Sequence, residues 1–324
     1  MIDGSSAPDA LPPRSRSRLW VAGLVALALL LVAPPATAGP ADPAQDYPHL
    51  PNPSCVTGDQ RVPQHAVVCH LTPFQKKRPT VVLWGDSHAW MLTPALVEAA
   101  KVDPVNPDVF TLGACPPLLV AAPDPGERFG SKCEKQNYNA LKYVLDLKRA
   151  DRPVRVLFAA NWVGYRQLWR ETEGGTVPTD CNGRPNCDYA VEMAVLSHKG
   201  TSQIFRKLGD LGVEVDVVGQ MLTVPQPRPA TACRFKEVYD CPIPRDQAIP
   251  DEQETRDWVD LQMGKLAHGP RRPRYIDMNS KVCDAKLCYG KKNSIYTFFD
   301  DLHLSATRSA TLAPRLAKTL QFGT

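Results

Sequence analysis

Two short stretches, far apart in the chain, carry residue types that could do nucleophilic and acid–base chemistry together. The first reads Gly85-Asp86-Ser87-His88. A serine hydroxyl is a weak nucleophile until a base takes its proton. At the start of a helix, however, it has free backbone N–H groups and a positive helix end beside it, both suited to a developing oxyanion. The second stretch, Asp300-Asp301-Leu302-His303-Leu304-Ser305, offers the base. Asp300 and His303 are three residues apart, so in a turn the carboxylate can hold its own imidazole in one tautomer and stabilise the imidazolium. Each stretch also has a plainer reading. Asp86 or Ser87 could do no more than cap a helix, and Asp301 and Ser305 could cap the last helix while His303 sits in an exposed loop.

Bringing residues 87 and 303 together is the task of the elements between them. Thr80 to Gly85 is a short apolar, β-branched run, and Val109 to Leu112, Val154 to Phe158, Val213 to Val218 and Arg274 to Asp277 are of the same kind. Helix-compatible stretches alternate with them: His88 to Lys101, Asn137 to Arg149, Ser197 to Leu211, Asp251 to Leu266 and Ser305 to Leu320. This alternation predicts one α/β domain, with a central parallel sheet of about five strands covered by helices on both faces. Ligands of such sheets lie beyond the carboxyl ends of the strands, which is where Ser87 falls. Trp84, His88, Trp90, Trp162, Tyr165 and Trp169 fall near those ends too. Aromatic faces suit sugar rings, but large aromatics equally serve as core packing. The segment from Gly219 to Gln226 would form a further wall.

Composition sets the outer bounds. With 43% hydrophobic and 22% charged residues, the 324-residue chain can build a sizeable core, which excludes wholesale disorder and a multi-span membrane protein. Its 32 prolines favour rigid loops over an all-helical bundle. The net charge of +4 comes from scattered basic residues, so no nucleic-acid partner is expected. Arg14, Arg16 and Arg18 precede the uncharged run Leu19 to Val32 and then Ala36-Thr37-Ala38, the pattern of an export signal cleaved before Gly39. An uncleaved N-terminal anchor is the alternative. Residues 39–78 then read as a Pro-rich extension and 79–324 as the catalytic domain. The ten cysteines agree with export into an oxidising compartment and fall into five successive local couples, for which neighbour-to-neighbour pairing is the simplest connectivity. The loops Thr172 to Asp188 and Pro225 to Ile249 read as disulfide-pinned insertions. No Cys-x-x-Cys pair occurs and the histidines do not cluster with the cysteines, so neither a metal nor another cofactor is expected.

Gly-Asp-Ser-His after the first strand and Asp-x-x-His-Leu-Ser before the last helix resemble the SGNH hydrolase superfamily. The nearer resemblance is to the SGNH domain carried by family 3 membrane acyltransferases, which O-acylate cell-surface glycans. Ala114-Cys115-Pro116-Pro117-Leu118 is similar to that subgroup's Cys-Pro segment, and Ala159-Ala160-Asn161-Trp162 to its third block. The resemblance implies a three-layer α/β/α, flavodoxin-like fold, with Ser87 as nucleophile, His303 as base and Asp300 as its orienting acid. For the oxyanion hole it implies the backbone N–H of Ser87, Asn161, and a block-two glycine for which Gly113 is the candidate. The third block departs from the family pattern, because its Gly and Asp are replaced here by Ala159 and Trp162. Loss of one oxyanion donor can cost about 10²–10³ in rate. The implied activity is serine-dependent O-acyl transfer, most simply of acetyl, to an exported or cell-surface glycan. A membrane acyltransferase would be the acyl-donor partner. A carbohydrate O-acetyl esterase, or a catalytically silent module that binds glycan or a partner, are the alternatives.

Overall fold

The computed structural model describes residues 42–51, 55, 63, 67–119, 132–165, 200–201, 203–226, 234–235, 238–266 and 272–320. The expected export signal, Trp169 and the loop bearing Cys181 and Cys187 lie outside the described residues. Six strands make the main sheet: β1 (Cys69–His70), β2 (Thr80–Gly85), β3 (Asn106–Thr111), β4 (Val154–Ala159), β5 (Glu214–Val218) and β6 (Arg274–Ile276), in the order β1-β3-β2-β4-β5-β6. All neighbours are parallel except β1, which runs antiparallel on the outer edge of β3. The helices are α1 (Ser87–Trp90), α2 (Thr93–Val102), α3 (Lys132–Arg149), α4 (described at 200–201 and 203–210), α5 (Glu252–Met263), α6 (Ala306–Ala310) and α7 (Ala313–Leu320).

The sheet is covered on both faces, which is why its strands read as continuous apolar runs rather than as alternations. Along β2, Val81 and Leu83 pack with Met91, Leu96, Leu312 and Leu316 from α1, α2 and the α6–α7 end. The intervening Val82 and Trp84 pack with Val144 of α3, Phe205 of α4 and Val259 of α5. The expected three-layer α/β/α architecture is therefore present. One charged group crosses it: Arg155 of β4 is buried and pairs with Glu214, while Arg274 and Arg155 both approach the fully buried Asp216.

Three expectations are corrected. Residues 88–101 do not form one helix, because α1 stops after Trp90 and α2 restarts with Pro94 in its first turn. The last helix breaks in the same way between α6 and α7, where Pro314 takes the second position. Proline lacks the N–H that a continuing helix needs and is tolerated in a first turn. The second strand also begins at Asn106 rather than Val109, with Pro107 near its start and next to the edge.

The N-terminal extension lies on the domain. Asp46 accepts hydrogen bonds at its carbonyl from Ala306 N–H (2.7 Å) and at its carboxylate from the Thr307 N–H and hydroxyl (both 3.1 Å), serving the start of α6. Cys55–Cys69, Cys115–Cys133 and Cys283–Cys288 are disulfides, as neighbour-to-neighbour pairing requires, and Cys241 is also disulfide-bonded. They mark an exported chain, since such bonds persist in oxidising compartments. No described helix is long and apolar enough to cross a membrane.

Phe158 is fully buried, with its ring 5.3 Å from that of Trp84 and 5.2 Å from that of Phe205. Phe158→Ala should cost about 3–5 kcal/mol through lost burial and the cavity left behind. Urea unfolding of the two proteins measures this, and a midpoint unchanged by the substitution would contradict the two-faced core.

Candidate active site

The carboxyl end of β2 can approach β4 so closely only because residue 85 is glycine. A Cβ on Gly85 would lie 1.8 Å from the Ala159 carbonyl oxygen, and backbone cannot yield as a side-chain tip can. The chain then turns sharply into α1, and Asp86 is the cap. One of its carboxylate oxygens accepts the His88 N–H (2.7 Å). The other accepts the Asn161 N–H (3.0 Å) and the Tyr165 hydroxyl (2.8 Å). Burial pushes the Asp86 carboxyl above its ordinary range, against the pull of these three donors. Capping is thus done by Asp86, and Ser87 begins the helix. Among the described residues, neither the Ser87 N–H nor its hydroxyl has a hydrogen-bond partner.

The histidine loop reaches the same helix from the other end of the chain. Asp300 accepts the backbone N–H groups of Leu302 and His303 (both 2.8 Å), closing a tight turn. Both its oxygens also lie against His303 Nδ1, at 3.0 and 2.9 Å. Burial raises the Asp300 carboxyl, but the hydrogen bond and charge of His303, with those N–H groups, leave it net below its ordinary range. An ionised Asp300 holds the proton on Nδ1 and leaves Nε2 with the lone pair. Nε2 is buried and has no partner among the described residues. The imidazole is not an exposed loop residue: it stacks on Phe299 (centroids 5.7 Å) and meets Trp90 (5.8 Å) and His88 (5.7 Å) edge-on. Leu304 N–H also points at Met91 Sδ (3.3 Å), directly after α1. Ser305 does cap α6, accepting the Arg308 N–H (3.1 Å), and this role coexists with the His303 geometry.

Asn161 leaves β4 and turns its side chain toward Gly164, whose N–H its Oδ1 accepts at 3.4 Å. Its amide nitrogen has no hydrogen-bond partner among the described residues, while its backbone N–H is the one that reaches Asp86. Gly113 differs, because its N–H is committed to the Pro63 carbonyl (3.2 Å). The structure thus gathers Ser87, Asn161, Asp300 and His303 around one turn and leaves Gly113 engaged elsewhere. Trp84 and Trp162 are fully buried and give their indole N–H groups to Asn137 and to the Val218 carbonyl, so neither is a sugar platform. The Gly219–Gln226 segment is tied to the histidine loop, as Val224 N–H donates to the Asp301 carbonyl (2.7 Å) and Gln226 to its carboxylate (2.9 Å).

Tyr165 is the supporting residue that sequence reasoning placed near the site without a role. Its one signal is its position four residues after Asn161, a single helical turn. His88, next to the serine, is buried and pulled down to about 3 by desolvation first and by the neighbouring His303 second, with Asp300 opposing.

Comparison with known proteins follows the same lines. Residues 54–318 match the family model described as SGNH domain (fused to AT3 domains). Among solved structures, the periplasmic domain of the lipopolysaccharide acetyltransferase of Salmonella ser. Paratyphi A is similar at 15% identity, over 76% of this chain and 85% of that one, with a TM-score of 0.46. No curated protein matches the chain.

Two outcomes test this geometry. Asp86→Asn would turn an amide N–H₂ toward one of the donors the carboxylate now satisfies, and should cost about 1–3 kcal/mol in denaturant unfolding. An unchanged midpoint would remove Asp86 from its place in the turn. His88 gives a pH signature. An unfolded imidazole takes its proton near 6.5 and the buried one near 3, so between those values the unfolded chain binds more protons and stability falls as pH drops. His88→Gln should flatten that fall between about pH 6.5 and 3, read from urea midpoints across the range. A variant that loses stability as steeply as the parent would show that His88 does not titrate this way.

Proposed function

The chain belongs to the family of SGNH domains fused to AT3 domains, and from that premise we propose that it is a serine-dependent O-acyltransferase, most simply an O-acetyltransferase, acting on an exported or cell-surface glycan. The observation that carries the reading is the Asp300–His303 pair, held at 2.9 Å and packed on the very helix that Ser87 begins. A module that only bound glycan would need neither a base in a fixed tautomer nor a serine relieved of capping. Family membership also points to a membrane acyltransferase part as the source of acyl groups.

The chemistry runs in two halves. The Ser87 Oγ attacks the donor ester's carbonyl carbon as its proton passes to His303 Nε2, and the C=O electron pair moves onto oxygen. The Ser87 N–H and the Asn161 amide hold that oxyanion, while Asp300 stabilises the imidazolium. Collapse expels the donor's alkoxide oxygen, which leaves with the proton from His303, and Ser87 remains acylated. In the second half a glycan hydroxyl gives its proton to the same Nε2 as its oxygen attacks the acyl carbon, and collapse of the new oxyanion expels the Ser87 oxygen, which takes that proton back from His303. Water in place of the hydroxyl gives esterase activity by the same steps. A positioned acceptor hydroxyl has a large effective molarity over bulk water, so the outcome rests on acceptor binding. Without substrate, Ser87 and His303 make no hydrogen bond to each other, and catalytic hydrogen bonds of this kind tighten on substrate binding. Gly113 could add a third donor only by leaving the Pro63 carbonyl.

Ser87→Ala should abolish acylation of the protein by an acetyl ester and lower turnover by about 10³-fold or more, with thermal stability unchanged. Intact-protein mass spectrometry and a spectrophotometric ester assay measure both. Residual turnover within about tenfold of the parent would overturn the nucleophile assignment. Supplying a polysaccharide acceptor and identifying products separates the two activities: acylated glycan supports transfer, and free acid alone makes the protein an esterase.

A further inference from the structure

A cleft of about 820 Å³ opens between α5, β6 and α7, and shares no lining residue with the serine–histidine site. Among the described residues, its walls carry Arg256, Arg272, Arg274, Arg315 and Lys318 against a single carboxylate, Asp260. These cations are not equivalent. Arg274 is fixed by both Asp216 oxygens (3.1 and 3.2 Å) and by the Thr319 carbonyl, so its guanidinium is a rigid part of the wall. Arg256 lies over the Tyr275 ring, 4.7 Å from its centroid, and only 4.0 Å from Asp260. Arg315 and Lys318 have no carboxylate partner among the described residues. They stand three residues apart on α7, which places two like charges on one face where they repel. A cation in the last turn, such as Lys318, complements the helix dipole, but Arg315 occupies the first turn, where the dipole opposes it. Helix stability therefore does not account for Arg315.

The cleft is also mechanically joined to the site's side of the sheet. The Tyr275 hydroxyl fills the space where a Cβ on Gly219 would sit, 2.1 Å away. The next residue, Gln220, accepts the Val163 N–H at 2.9 Å, two positions after Asn161.

We propose that this cleft is a subsite for an anionic glycan, taking closely spaced carboxylate or phosphate groups on the polymer. A guanidinium fork such as that of Arg315 binds such oxyanions through paired N–H donors, and the Lys318 ammonium adds a point charge beside it. The cluster's excess positive charge gives long-range attraction that salt screens. The identification of the polymer as the enzyme's acceptor rests on the reading given under Proposed function. The binding itself does not.

The test uses the full chain, with calorimetric titration of polygalacturonate, inorganic polyphosphate, neutral dextran and single-stranded DNA at low and high salt. Polygalacturonate, polyphosphate or both should bind, with affinity falling as salt rises, and the arm that binds identifies the oxyanion. Arg315→Glu/Lys318→Glu should weaken that binding by about tenfold or more, and the milder Arg315→Gln/Lys318→Gln variant should weaken it in the same direction. Acetylation of Ser87 by a small ester should be unchanged in both variants. The proposal is overturned if both variants bind like the parent, if dextran binds as tightly as the charged polymers, if salt has no effect, or if DNA binds more tightly than either. The two readings fail separately. A parent protein whose Ser87 is never acetylated but whose polyanion binding depends on Arg315 and Lys318 keeps the subsite and loses the acyl-transfer reading. Acetylation without such binding does the reverse.

Discussion

A carboxylate buried where two parallel strands end is the constraint on which the rest of the site hangs. Removing Asp86 from water is costly, and the cost is offset by three donors from separate places: the His88 N–H two residues on, the Asn161 N–H just beyond the neighbouring strand, and the Tyr165 hydroxyl. The bond to Asn161 joins the ends of β2 and β4, and the close approach of Gly85 to Ala159 allows the reach. Because Asp86 satisfies the helix start, Ser87 is spared that duty and keeps its hydroxyl and N–H for other work.

The second half of the site is built by different means. Asp300 folds its own turn through two backbone N–H groups and uses the same carboxylate to hold His303. Apolar and aromatic packing then fixes that turn, with Phe299 on one face of the imidazole and Trp90 and His88 at its edge. The Ser87 side is thus placed by the sheet and the His303 side by ring packing on α1. The hydrogen bonds from the Val224 N–H and Gln226 to Asp301 add a clamp from beyond β5.

Much of this was legible in the sequence, for reasons that differ by element. Strands such as Thr80–Gly85 announce themselves because both faces are buried and every position is apolar or β-branched. The pairing of Asp300 with His303 was legible because a spacing of three closes a turn locally. The breaks before α2 and α7 were missed because apolar periodicity continues across them, and only the placement of Pro94 and Pro314 betrays the restart. Strand β1 is two residues long and sits inside a Pro-rich stretch, so no periodicity could reveal it. Which of Asp86 and Ser87 caps the helix, what Tyr165 does and where the Gly113 N–H points all depend on contacts between distant segments, and local pattern does not encode them.

The grip of Asp46 on the start of α6 spans 261 residues of chain. Contacts of such separation enclose nearly the whole domain in one loop, and folds rich in them form slowly. A polypeptide grows from its N-terminus, so the strand that presents Ser87 exists long before the segment that brings His303 and the helix Asp46 secures. A nascent or truncated chain that stops short of residue 303 therefore holds Ser87 without the imidazole that packs on its helix. The two halves of the site meet only on completion, so their assembly is tied to the closing of the whole domain.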